Sequence, residues 1–280
     1  MAGTLFGITF RHLRLLPWML ASMAILPCAA ATLPAELIGQ WQVAEVHINT
    51  FVSSSENYHW NDGRLRWRIF HFSNQQITDD TSYGNDTDEC DAPQASVARM
   101  SLQKLMSGSL AHGYGDAPDA QPSPEAYKLP AEPDQQVEVI SIRCKDGLWQ
   151  SDLGVGDGVK GAWMYLAPSR QLILRWGDET ILVLDRLPAD AKPQPSFDCA
   201  KADSPVEKAI CGSLQLASFD RSVAWSYKVA RDDTKDAGNN LSTLAAEQRA
   251  WLHKRDACGT DASCLLTTMK QRLEELASYP

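Results

Sequence analysis

Six cysteines are the residues whose type and spacing most constrain the chemistry available to this 280-residue chain: Cys90, Cys144, Cys199, Cys211, Cys258 and Cys264. A seventh, Cys28, falls in an apolar N-terminal stretch. An even set beyond a leader reads as disulfides formed in an oxidising compartment. Zinc is the competing chemistry, because Cys199/Cys211 and Cys258/Cys264 form two pairs. There is, however, no Cys-x-x-Cys and no histidine at ligand spacing. Six cysteines allow many connectivities, and their order does not select one. Bonds within domains, Cys90–Cys144, Cys199–Cys211 and Cys258–Cys264, are the expectation, with no metal and no cofactor.

A second grouping suits contact with a partner. Gln248, Trp251 and Arg255 fall three and four apart, on one face of a helix. Arginine and tryptophan are common interface anchors. The competing reading is internal, with Trp251 in a core and Arg255 paired with Asp220 or Glu207. Catalytic patterns are missing. The histidines beyond the leader are His47, His59, His71, His112 and His253, and no Gly-x-Ser-x-Gly elbow or His-Glu-x-x-His is present. Ser109 and His112 are close but lack an obvious acid. The glycine-dense run Gly154–Gly161 lacks the Walker spacing of a phosphate cradle and reads as a hairpin loop. The acidic run Asp79–Asp91 lacks the glycine and the register of a calcium loop. These absences point to a protein that is not an enzyme.

The elements that must position these residues fall into four segments. Arg11, His12 and Arg14 precede an apolar run, Leu15–Ala31, that ends in Cys28-Ala29-Ala30-Ala31. That order is a secretory signal peptide over residues 1–31, with cleavage expected after Ala31. Pro27 is a poor residue before an acylated cysteine, so no lipid anchor is expected. The location expected is periplasmic or extracellular. Residues 32–187 are β-rich, 188–196 form a proline-rich linker, and 197–280 are helical. The fold class expected is α+β: a small barrel or sandwich followed by a separate disulfide-stapled helical domain.

Within the β-rich part, Leu37–Ile48 reads as a strand. Leu65, Trp67 and Ile69 alternate with Arg64, Arg66 and Arg68, the period of a half-buried strand. Val137–Ile142 is a further strand. Gly161–Ala167, Gln171–Trp176 and Thr180–Leu187 form a meander, with Pro168-Ser169-Arg170 and Gly177-Asp178-Glu179 as turns. Val97–Ser107 has a helical rhythm. Gly113–Pro133 carries five prolines and should be irregular; a Cys90–Cys144 bond would bracket it. Leu37-Ile38-Gly39-Gln40-Trp41 resembles the Gly-x-Trp opening of lipocalins, and equally fits a tryptophan plugging the end of any β-barrel.

In the helical part, Ser204-Pro205 with Glu207 is a capping box, and Gly212 is a stop. Leu216, Phe219, Val223 and Tyr227 form one apolar stripe. Further helices run through Leu241–Leu252 and Leu265–Leu276, separated by the turn Gly259-Thr260-Asp261. So small a bundle buries little surface and needs staples.

Charge is uneven. Residues 32–196 hold 13 Lys and Arg against 23 Asp and Glu, and residues 197–280 hold 11 against 12. An acidic surface excludes nucleic acid as a partner and attracts basic proteins.

The residues Asp198-Cys199-Ala200-Lys201-Ala202, Pro205-Val206-Glu207-Lys208-Ala209-Ile210-Cys211, Asp220, Tyr227, Gln248-Arg249-Ala250-Trp251-Leu252, Arg255-Asp256, Cys258 and Cys264 stand together in order. This pattern resembles the LprI-type lysozyme-inhibitor domain, over about residues 196–278. The resemblance implies a secreted helical module of the bacterial envelope whose partner is lysozyme or another envelope protein. Two other functions fit the sequence: an envelope interaction module without inhibitory activity, and a small-ligand binder acting through the β-rich part.

Overall fold

The computed structural model describes residues 1–3, 32–51, 57–81, 89–110, 121–153 and 158–279. Residues 4–31 of the leader, His112, residues 82–88 of the acidic run and residues 154–157 of the glycine-dense run lie outside the described residues. Among the described residues the chain forms ten strands: β1 Gly39–His47, β2 Ile69–Phe72, β3 Gln76–Asp79, β4 Cys90–Asp91, β5 Gln94–Ser101, β6 Gln136–Cys144, β7 Gly147–Leu148, β8 Trp163–Leu166, β9 Leu172–Trp176 and β10 Thr180–Arg186. All pairings are antiparallel, in the order β4-β3-β2-β1-β10-β9-β8-β6-β5, with β7 on β6. The sheet curls into a half-barrel. The end strand β4 is fastened to β6, the strand next to the other end, by the Cys90–Cys144 disulfide and by the Lys145 amide, which donates to the Asp91 carbonyl.

The period of two sorts the side chains into two cores. Trp41, Val43, Phe70, Phe72, Ile140, Ile142, Met164, Leu172, Leu174, Trp176, Leu182 and Leu184 fill the inside of the curl, joined by Trp149. Val137, Val139, Trp163, Tyr165, Ile173, Ile181 and Val183 face outwards. That outer face is covered by helix α1, Leu102–Ser109, and by Ala126, Tyr127 and Leu129. Phe70, Phe72, Trp149 and Trp176 meet edge to face with ring centroids 5.1–6.4 Å apart, so aromatic rings occupy the interior. Trp41 is buried, donates its indole N–H to the Leu37 carbonyl at 2.8 Å, and lies under the Arg186 guanidinium.

Two local expectations change. The alternating stretch before β2 is a turn region rather than a strand: Trp67 takes φ +67, which breaks an extended run, and Asp62 accepts from Arg64 and Arg66. The helical rhythm at Val97 is that of strand β5, paired with β6 over its whole length. The helix starts only at Leu102, where the Ser101 hydroxyl caps the Lys104 amide.

Four helices follow a short 3-10 turn at Cys199–Lys201: α2 Pro205–Cys211, α3 Leu214–Asp236, α4 Leu241–Asp256 and α5 Ala262–Ala277. Ser204 and Glu207 form the capping box that starts α2. Cys199–Cys211 pins this seven-residue helix, and Cys258–Cys264 closes the turn between α4 and α5. Val206, Ile210, Leu216, Phe219, Val223, Leu244, Trp251, Leu265, Met269 and Leu273 make a third core. Among the described residues, no helix is long and apolar enough to cross a membrane.

Candidate functional site

The helical region presents one face to the sheet and another to solvent. On the sheet side, α3 lies against the turn region 57–68. Gly63 permits the approach, since a Cβ there would stand 2.1 Å from the Ser226 hydroxyl and 3.1 Å from the Ser222 carbonyl. The three arginines of the alternating stretch all turn towards the helices. Arg68 is wholly buried over the Phe219 ring, with its centre 3.3 Å from the centroid, and donates to the Ser222 hydroxyl at 2.7 Å. Arg66 lies over Trp67 and Trp225, at 4.5 and 4.7 Å. Arg64 pairs with Asp62 at 2.8 Å and reaches Glu274 of α5 at 3.4 Å. Gln42 donates to Ser218, Ser222 to the Arg66 carbonyl and Trp225 to the Asn61 carbonyl.

A cleft of about 300 Å³ opens at this junction, lined by Tyr58, Arg64, Thr81, Phe219, Lys270 and Glu274. Burial lowers the Lys270 ammonium and raises the Glu274 carboxyl. Behind it, burial also raises the Asp80 carboxyl, against the opposing pull of Arg68, and lowers Arg68 to about 10. The charges of this cleft are spent mainly on one another, as expected of a structural junction. Sequence reasoning missed it because the helical partners of Arg64, Arg66 and Arg68 are more than 150 residues away, where the local alternation does not report them.

On the outer side, α4 and α5 enclose a groove of about 540 Å³ lined by Glu247, Trp251, Lys254, Arg272, Glu275 and Tyr279. Trp251 is 7 % exposed and donates its indole N–H to the Thr268 carbonyl at 3.2 Å, so most of its ring is core and one part forms the groove wall. Gln248 accepts from Arg272 at 3.0 Å. Arg272 is buried and ion-paired with Glu275 at 2.8 Å, and its Nη2 has no hydrogen-bond partner. Arg255 lies over the Trp251 ring at 5.5 Å and pairs with Asp256 at 2.7 Å and Asp220 at 3.7 Å. Asp220 also accepts from the amide and hydroxyl of Ser196 at 2.7 and 2.6 Å, fixing the end of the linker; burial raises its carboxyl. The structure therefore places Trp251 in the groove wall, keeps Gln248 off the wall but bonded to the groove residue Arg272, and turns Arg255 towards the linker. Among the described residues, no group of three or more His, Cys, Asp or Glu is placed to hold a metal ion.

This helical, doubly stapled unit coincides with a known family. Residues 199–276 match the family Lysozyme inhibitor LprI. The LprI-type region thus runs from the first cysteine of the α2 staple to the end of α5, and the half-barrel lies wholly outside it. No curated protein and no solved structure matches the chain. The LprI-type match and the disulfides are consistent with an extracytoplasmic location.

Proposed function

We propose that this is a secreted protein of the bacterial envelope that inhibits lysozyme by binding it, without catalysis. The observation that carries the reading is the LprI match over residues 199–276, a region held by two disulfides and docked on the half-barrel. A binder that blocks an enzyme gains affinity when its contact surface is already ordered. The face of α3 is spent on the half-barrel, which leaves the α4–α5 groove as the contact. In this reading Trp251 forms the groove wall, Gln248 holds Arg272 in place, and Arg255 ties α4 to the linker end through Asp220. The net charge of −9 steers the protein towards a basic lysozyme at low salt. Residues 1–31 act as the export signal, 188–196 as the linker, and the periplasm or cell exterior is where inhibition takes place.

The test is a cell-wall lysis assay with the oxidised chain starting at Thr32. Saturable inhibition that weakens with salt is expected. The pair Glu247→Lys with Lys254→Glu, both exposed, should reduce it about tenfold while the melting temperature holds. Lysis unaffected by a large excess of protein would reject the inhibitor reading and leave the helical region as a docking module for another envelope protein.

A further inference from the structure

The half-barrel has an unfinished seam. Strand β6 begins at Gln136 and is paired with β5 throughout, yet it meets β8 only at Ile140↔Met164 and Ser141↔Trp163. Along Gln136–Val139, β6 makes no registered pair on the β8 side, while β8 continues to Leu166 paired only with β9. Alternate residues of an antiparallel strand direct their N–H and C=O to each side, so part of this backbone faces an opening. The opening is a groove of about 440 Å³ lined by Pro34, Glu36, Val97, Glu138, Ile140 and Leu166. Val97 and Leu166 are 57 % and 36 % exposed, two of the few large apolar side chains presented to solvent. The outer face of the same strands is buried under α1, so the unfinished part is confined to the seam and the inner face.

The charges say which occupant fits. Glu36 and Glu138 are exposed and line the groove, and no lysine or arginine does. Arg99 stands across the ladder from Glu138, but no ion pair joins them. The surrounding region, residues 32–196, carries ten more acids than bases. We propose that the seam between β6 and β8 takes an extended segment of a basic partner protein, added as a strand beside β6. Val97, Glu138 and Leu166 share the inner face, so the side chains that the segment turns inwards would be both apolar, against Val97 and Leu166, and basic, against Glu138, with Glu36 beside them. Main-chain bonds supply affinity in such strand addition, and the alternate side chains supply selection. The inference does not rest on the lysozyme reading, because the seam lies outside the LprI-type region.

The experiment uses the oxidised chain from Thr32 and a labelled short peptide that carries valine and lysine in turn at every second position with threonine between, followed by fluorescence anisotropy. Saturable binding is expected. It should weaken about tenfold with Glu36→Lys plus Glu138→Lys, and again when alternate backbone nitrogens of the peptide are methylated. A valine–glutamate peptide should not bind. Absent binding, equal binding of the two peptides, or indifference to backbone methylation would overturn the proposal. A dimer of the chain abolished by Val97→Lys would overturn it in favour of self-association at the same seam.

Discussion

The half-barrel and the helical region solve the same problem with different means. The half-barrel owns two cores, one on each face of its sheet, and one of them is packed with interlocking aromatic rings. The helical region owns a single core shared by four helices, one of them only seven residues long. It adds two disulfides and a dock onto the half-barrel built from buried arginine. Close packing of apolar surface on both faces of its sheet holds the first region together. The second stays ordered through covalent closure and through polar contacts whose loss is costly because they are buried.

The largest test of that difference is Arg68→Ala. It removes the ring contact with Phe219 and the bond to Ser222, and leaves Asp80 buried without its nearest balancing cation. Breaking a buried charge arrangement of this kind costs about 3–5 kcal/mol. Denaturant unfolding followed by tryptophan fluorescence should show the helical region melting before the half-barrel. A single cooperative transition at unchanged midpoint would mean that the dock contributes nothing.

Disulfide removal sharpens the comparison because two arguments rank the bonds differently. Loop entropy depends on the span closed, and the separations are 54, 12 and 6 residues for Cys90–Cys144, Cys199–Cys211 and Cys258–Cys264. The corresponding losses are about 4, 3 and 2 kcal/mol. Consequence follows the size of the core instead. The half-barrel should tolerate Cys90→Ser with Cys144→Ser as a fall in midpoint. Losing both smaller bonds should abolish helical order, read as lost helical circular dichroism with the strand signal kept. Equal survival of both regions would show that the helical core needs no staples.

A smaller effect comes from Gly63→Ala. The added Cβ meets the Ser226 hydroxyl, which can rotate away, and the Ser222 carbonyl at 3.1 Å, which cannot. Overpacking costs about 1–3 kcal/mol, again expressed as looser docking of α3. Hydrogen exchange at α3 amides, compared with those of β9 and β10, reads it directly.

What the sequence disclosed divides along the same line. Local signals were sufficient where an element is set by its own residues. The meander over residues 161–187 follows from three short apolar runs with turn chemistry between them, and α2 from Ser204, Pro205, Glu207 and Gly212. Local signals misled where a distant partner decides. Leu65, Trp67 and Ile69 alternate, yet the positive φ of Trp67 and the pull of α3 on Arg66 and Arg68 make the stretch a turn region. Val97–Met100 carries helical spacing, but eight paired residues on β6 hold it as a strand. At the candidate site, Gln248 and Trp251 were legible as one helical face. The groove that Trp251 borders was not, because its opposite wall, Arg272, Glu275 and Tyr279, belongs to α5 and the residues just after it.

The smallest prediction concerns acid, and it separates two carboxyls of the helical region by sign. Glu207 is partly exposed and accepts from the Ser204 and Asp203 amides, which hold its carboxyl below the usual range. A lowered acid stabilises the fold above its unfolded value, and that contribution fades as pH falls through the folded one. Burial pushes Asp220 the other way, so holding its proton favours the fold, and its own contribution improves as pH falls towards the usual carboxylate range. Replacing Glu207→Gln should therefore lower the melting temperature at neutral pH, and the gap to the parent chain should close on acidification. For Asp220→Asn the gap should instead be relieved at neutral pH in the burial part and kept in the part lost with Ser196 and Arg255. A widening Glu207→Gln gap in acid would show that the capping carboxylate is not what holds the start of α2.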